Sequence, residues 1–171
     1  MEKTLIILKP DAVQRQIVGE VITRFEKAGL KIIGVKMIQP DRDQYHHHYE
    51  GISKMVSRRG EKAFEATLKA MQEGPVIAMV LEGIEAVGVV RKIVGTTEPK
   101  QAAPGTIRGD YSHISFDYSE KVNSGIPNLI HASGDQSEAK QEIEHWFNKE
   151  EIFEYSTVHD YYTHVSGSKK K

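Results

Sequence analysis

The sequence predicts an α+β fold, an antiparallel sheet with helices gathered on one face. Three observations predict it. Short apolar segments alternate with helical stripes along the chain, four of each. The 171 residues suffice for one domain with a real core and are few for two. No glycine-rich phosphate loop follows the first apolar segment, where Lys9-Pro10-Asp11 stands, so neither a Walker nor a dinucleotide fingerprint applies.

Residues 4–8 read as a buried strand, closed at Pro10 because proline cannot donate to a ladder. Val18, Val21, Ile22, Phe25 and Ala28 recur at helical spacing, and Gly29 stands where a helix end wants a left-handed residue. Residues 31–39 alternate well enough for a second strand, ended by Pro40. Residues 41–59 are polar and expected to be helical in part. Ala63, Phe64, Thr67, Leu68 and Met71 give a second helical stripe that ends near Gly74. Residues 75–81 form a third strand, continuous rather than alternating, hence covered on both faces. Ile84, Val87, Val90 and Ile93 predict a short helix that stops at Gly95, and no period holds from there to Asn128. Residues 128–131 predict a short fourth strand. Asp135 then starts the last helix with Glu138 as its capping-box partner, and Ile143, Trp146 and Phe147 as its inner face. Residues 166–171 are a polar basic tail expected to fray. The order suits a ferredoxin-like βαββαβ core with additions, one domain over residues 1–171. The pattern alone leaves a doubly wound parallel sheet open.

Composition narrows the function. A formal charge of −1 gives no global attraction for nucleic acid or an acidic membrane, so neither is expected as a partner. The absence of cysteine removes disulfides, thiol nucleophiles and thiolate metal sites together. The longest strictly apolar run is residues 76–81, far below the ~18 residues that a membrane span needs. Near the N-terminus only residues 5–8 are continuously apolar, too few for a secretory signal core. The expected location is the cytoplasm.

His131 is the first candidate for chemistry. It lies where the fourth strand ends, before a capped helix, with small neighbours in Asn128-Leu129-Ile130-His131-Ala132-Ser133-Gly134-Asp135. Neutral imidazole is a competent nucleophile near neutrality, its unperturbed pKa being about 6.5. A hydrogen-bonded structural histidine is the competing reading. Glu142 lies seven residues beyond Asp135, on the same face two turns on, where its carboxylate could fix the tautomer of His131. An ordinary solvated glutamate is the alternative. Lys9, Arg91, Thr97 and Arg108 form a second constellation: an ammonium, two guanidiniums and a hydroxyl able to converge on one phosphate. Two patterns are set aside. Arg108-Gly109-Asp110 spells an adhesion tripeptide without any sign of secretion. His46-His47-His48 resembles a metal tract, but no acidic partner has ligand spacing and adjacent helical residues do not face one way. No protein-held metal is expected.

Taken in order, these segments resemble the nucleoside diphosphate kinases from Thr4 to about Phe153. The resemblance rests on Lys9-Pro10-Asp11, Val18-Gly19-Glu20, His48-Tyr49, Gly74-Pro75-Val76, Arg91, residues 95–99, and Pro104 through Asp110. Asn128 through Ser133 matches the active-site signature, and Glu142-Ile143 with Trp146-Phe147 closes the set. Lys-Pro-Asp alone is weak; the ordered set is specific. The resemblance implies ping-pong transfer of a terminal phosphate between nucleoside tri- and diphosphates through phosphorylated His131. It implies that Lys9 and Asn128 contact sugar hydroxyl and phosphates, and that Arg91, Thr97 and Arg108 hold phosphates. Mg2+ would arrive with the nucleotide. Tyr49 would steady the phosphate side, and Ser133 and Glu142 would orient His131. A homo-oligomer, hexamer or tetramer, is also implied.

The chain departs from the family pattern in places. The aromatic that stacks on the base falls at Ala63, so either Phe64 beside it serves or the insertion before it re-routes the loop. Residues 48–64 are about six longer, and residues 108–128 about ten longer, than is usual. The second insertion adds Tyr111, His113, Phe116 and Tyr118, any of which could cover the base or a subunit contact. Gly134 replaces the aspartate that commonly follows the serine. Two other functions compete: a ferredoxin-like module that senses nucleotides without turnover, and an RNA-binding module. The latter would need a basic sheet face with interleaved aromatics, which the strands lack.

Overall fold

The alternation of side-chain direction along each strand decides which residues meet. In the computed structural model, which describes residues 1–163, β1 (Glu2–Leu8), β2 (Lys31–Ile38), β3 (Val76–Gly83) and β4 (Ile130–Ala132) form one sheet in the order β2-β3-β1-β4. All three pairings are antiparallel, which establishes the ferredoxin-like order and removes the doubly wound alternative. β1 runs against β3 from Glu2 opposite Gly83 to Leu8 opposite Ile77. β4 pairs with the outer end of β1 and sets His131 opposite Ile7.

Helices cover both faces rather than one. Ile6 and Leu8 point to one side, into a core with Val21 and Phe25 of α2 (Val18–Lys27) and Val90 and Val94 of α6 (Ala86–Val94). These two helices are the crossovers of the βαββαβ unit, and they do share a face. Leu5 and Ile7 point to the other side, where they meet Phe64 and Leu68 of α5 (Glu61–Met71) and Trp146 of α9 (Gln136–Trp146). The physical reason lies in β1 and β3: both are continuous apolar runs, so neither has a polar face to leave to water. Added helices supply the second layer.

Polar stretches without a period became short capped elements. Pro10 opens α1 (Pro10–Gln14) instead of merely ending the strand, since its fixed φ suits a first helical position. Asp41 caps α3 (Arg42–His46), its carboxylate accepting from Gln44 N at 2.8 Å. A π-helical turn, His47–Ile52, follows, then α4 (Met55–Arg59). Between Gly95 and Asn128 lie a 3-10 turn (Pro99–Gln101), α7 (Ile107–Tyr111) and α8 (Phe116–Lys121). Thr106 caps α7 and Ser115 caps α8, each through its hydroxyl. Gly109 is required in α7, because a Cβ there would stand 2.1 Å from the Ala103 carbonyl oxygen. The chain described ends in α10 (Asp160–Thr163). The tail expected at residues 166–171 lies outside the described residues.

Ile7, on the central strand, is fully buried and is the cross-strand neighbour of His131. Ile7→Ala is expected to destabilise the fold by about 2–5 kcal/mol, the range for a buried aliphatic truncation. Urea unfolding checks this, and a loss under about 1 kcal/mol would mean that the layer between β1 and α9 is not close-packed.

Candidate active site

Four segments converge at the outer end of β4. Leu129, just before it, is fully buried with φ at 71°, a left-handed conformation that a leucine adopts only when its neighbours impose it. The neighbours are identifiable: Lys9 N donates to Leu129 O at 2.8 Å and Leu129 N to Asp11 Oδ2 at 3.0 Å. His131 is then presented from the strand, half-buried.

Glu142 reaches His131 from α9, which starts where the sequence placed it. Asp135 accepts from Glu138 N at 2.8 Å, while the Glu138 carboxylate takes Gly134 N at 2.6 Å, one residue earlier than the capping box expected. Two turns on, Glu142 is fully buried. His131 Nε2 lies 2.8 Å from Glu142 Oε1, and Ser133 Oγ donates to Glu142 Oε2 at 2.6 Å. A carboxylate only accepts, so Nε2 carries the proton and Nδ1 keeps its lone pair. Ser133 also accepts from Leu5 N at 3.1 Å, tying the pair to β1.

His48 completes the surroundings, and the sequence reading missed it. The sequence places it in a histidine tract and in the His48-Tyr49 motif without giving it a role; the π-helical turn sends it inward while His46 and His47 stay exposed. Its ring stands edge-on to His131, centroids 4.5 Å apart. Trp146 Nε1 donates to His48 Nδ1 at 3.2 Å. Indole can only donate, so His48 Nδ1 must accept. Burial, then the neighbouring His131, push His48 well below the ordinary histidine range. His48 therefore stays neutral and does not compete for the carboxylate 3.7 Å away. Tandem histidine and tyrosine beside a distant tryptophan was the signal available. The expectation that the tract has no acidic partner is corrected for His48: the donor atoms of His48, His131 and Glu142 lie within 4.8 Å of one another. Of their polar atoms, His48 Nδ1, His131 Nε2 and both Glu142 oxygens are already engaged in hydrogen bonds.

Tyr49, next along the turn, stands edge-on to His131 from another side, centroids 6.2 Å apart. It lines the cleft with a phenol that is buried and has no hydrogen-bond partner. Burial pushes that phenol far above its usual range, so it is a donor.

A cleft of about 1000 Å³ opens in front of His131, and Lys9, Arg91, Thr97, Arg108 and Asn128 are among the residues that line it. Lys9 Nζ donates to Asn128 Oδ1 at 2.7 Å, and Asn128 Nδ2 donates to Thr97 O at 2.8 Å. Arg108 does more than the sequence suggested. Its guanidinium donates to the carbonyls of Asn128 at 3.2 Å, Gly95 at 3.0 Å and Ile130. Burial, then Arg91, pull it down to about 10, still cationic at neutral pH. Arg91 is exposed, with Nη1 3.5 Å from Ser133 O. Arg58, Arg59 and Lys62 add cations that sequence reading did not single out.

Phe64 does not belong to this cleft. It is 2 % exposed and packed in the core with Leu68 and Tyr45, because the inner face of α5 must fill the layer over Leu5 and Ile7. Ala63 lines the cleft instead, and Phe116 of α8 faces it from the insertion.

The nucleoside diphosphate kinase family model matches residues 2–152. A nucleoside diphosphate kinase of Pyrococcus furiosus is 47% identical over 162 residues, 95% of this chain and 92% of that protein. One of Borreliella burgdorferi is 44% identical over 155 residues, 91% of this chain and 92% of its own. Among solved structures, a transition-state mimic of nucleoside-diphosphate kinase from Borrelia burgdorferi with bound vanadate and ADP superposes with a TM-score of 0.91. It shares 42% sequence identity, over 95% of this chain and 96% of that one.

Burial, opposed by Asp11 and reinforced by Arg108, lowers the Lys9 ammonium to about 8. An anion beside it favours the charged form and raises that value, so binding near pH 8 takes up protons. Calorimetry of inorganic tripolyphosphate binding in two buffers of different ionisation heat is expected to show net uptake that Lys9→Met removes. Uptake unchanged in the variant would place the titrating group elsewhere.

Proposed function

The chain belongs to the nucleoside diphosphate kinase family, and on that premise we propose that His131 Nδ1 is the atom that carries the phosphoryl group. The enzyme transfers the terminal phosphate of a nucleoside triphosphate to a nucleoside diphosphate. The observation that supports the assignment most is the His131 Nε2 contact with buried Glu142 at 2.8 Å, which leaves the other nitrogen free beside a cation-lined cleft.

In the first half-reaction the Nδ1 lone pair forms a bond to the terminal phosphorus. The bond to the bridging oxygen breaks, and its electron pair leaves with the diphosphate. No proton has to move from Nδ1. The ring gains positive charge, which the Glu142 carboxylate opposes across the Nε2–H hydrogen bond. In the second half-reaction a terminal oxygen of another diphosphate attacks the same phosphorus and the N–P bond breaks. Arg91, Arg108, Lys9 and Thr97 hold phosphate oxygens, Asn128 and Lys9 the sugar side, and Tyr49 donates its unpartnered phenol to the phosphoryl group. Ser133 fixes Glu142, and through it the ring.

Mg2+ enters on the nucleotide, where it neutralises phosphate charge. It is a hard ion that seeks oxygen ligands, while the three-donor cluster among the described residues holds two imidazoles and one carboxylate. No helix among the described residues is long and apolar enough to cross a membrane. Copies of the chain assemble as a hexamer or tetramer. Edge strand β2 supports that, presenting Val35 and Met37 with 58% exposure each.

His131→Ala is expected to abolish the acid-labile, base-stable label that a γ-labelled triphosphate leaves on the protein; retained label would remove His131 from the reaction. Arg91→Ala should slow labelling by roughly a hundredfold, about 3 kcal/mol for a lost preorganised donor, whereas a change below twofold would refute the phosphate assignment. Equilibrium sedimentation is expected to give four or six times the 19.3 kDa of one chain; a monomer at micromolar concentration would refute the assembly.

A further inference from the structure

The cleft has a phosphate end, organised around His131, and a second wall where the rest of a nucleotide must lie. That wall is built from two sides. From α5 it receives Lys62, a flexible cationic chain, and Ala63, Ala66 and Thr67, small side chains; none of the four has a flat face. Facing them is the insertion of residues 111–127. Ser112 Oγ donates to Pro127 O at 3.0 Å, closing its neck. Lys100 N donates to Ile114 O at 3.1 Å and Phe116 N to Glu98 Oε1 at 2.9 Å, holding its first half to the 3-10 turn. Its second half lands on α5, where a Cβ at Gly125 would come within 2.7 Å of Ala66 O. The insertion therefore spans the cleft and is anchored at both sides.

Four of its aromatic or imidazole rings are candidates to face a ligand, and three are otherwise placed. Tyr111 donates its hydroxyl to Glu20 at 2.5 Å and lies under the Arg24 guanidinium at 4.8 Å. His113 and Tyr118 are exposed and do not line the cleft. Phe116 does line it, with the Arg59 guanidinium 4.6 Å from its ring centroid. Ring and guanidinium together make a flat, polarisable surface of the kind on which bases stack.

We infer that Phe116, braced by Arg59, is the platform for the nucleobase, so the stacking aromatic has moved from α5 to the opposite, inserted wall. This rests on the kinase reading above. It also resolves the departure at Ala63: with no ring on α5 the space there is left for the base, and Phe116 closes on it from across the cleft. A face that stacks without reading hydrogen-bond edges accepts any base, purines more tightly because they cover more of it.

The test compares ligands with and without a base. Phe116→Leu, which keeps an apolar side chain of similar bulk, is expected to raise KM for ADP and GDP about tenfold, or ~1.4 kcal/mol, and for CDP by less. Phe116→Tyr should stay within about twofold of the parent for all three. The inhibition constant of inorganic tripolyphosphate, which has no base, should stay within about twofold in both variants. Unchanged KM values in Phe116→Leu would overturn the assignment, and so would an equal loss for tripolyphosphate. If the parent protein itself forms no phosphohistidine, the kinase reading fails instead, and that result is read before any variant is made.

Discussion

A buried carboxylate that must not be left alone organises this molecule. Glu142 is fully buried, and a charge in that setting is tolerated only when every lone pair facing the interior is engaged. One oxygen takes Ser133 Oγ, the other His131 Nε2. Ser133 is in turn bonded to β1 through Leu5 N, so three elements meet on one carboxylate: the central strand, the strand that bears the nucleophile, and α9. His48, held neutral and locked by Trp146, lies beside that carboxylate without claiming it. The same hydrogen bonds that satisfy a buried charge thus choose the tautomer of His131. Fold and reactivity are one constraint here.

The opposite side of His131 is fixed by a different device. Leu129 holds a left-handed backbone, a strain on the order of 1–3 kcal/mol for a residue with a side chain. It persists because Lys9 N and Asp11 Oδ2 take its two backbone groups, while Arg108 bridges the carbonyls on either side, of Asn128 and Ile130. Arg108 is therefore both a cation at the cleft and the clamp on the approach to β4. Its burial follows from the second role, and the bonds of that clamp leave the cleft a positive charge that cannot swing away.

How far the sequence could be read depends on where each decision is made. Strands β1, β2 and β3, helices α2 and α5, and the Asp135 start of α9 came from local signals, and those survive folding. The identity of the enzyme came from an ordered set of motifs, which favoured a kinase over a sensing module. What local signals could not carry was the destination of side chains in the inserted segments. Ala63 and Phe64 are neighbours on one helix, and only the layer over Leu5 and Ile7 determines that the ring turns inward. His48 differs from His47 only through a π-helical turn that no periodicity announces. The second layer of helices was implicit in the unbroken apolar runs of β1 and β3, yet a sheet with one covered face was the simpler pattern to draw.

The departures from the family pattern fall unevenly, and physics accounts for it. At the phosphate end the task is positioning, where small displacements lose rate, and there Lys9, Asn128, Arg108 and His131 are each held by named hydrogen bonds. At the other end a flat face in roughly the right place suffices, and there both insertions and Ala63 are found. Gly134 tests this division, since it adjoins Ser133. Its N–H donates to Glu138 at 2.6 Å, and a Cβ at this position would stand 2.4 Å from Glu138 Oε2. A side chain here would have to displace that carboxylate, so the capping role passes to Asp135, one step on, with the Glu138 carboxylate bonded back to Gly134. The helix start changes its hydrogen bonds, Glu142 keeps its place two turns later, and the tautomer of His131 is preserved.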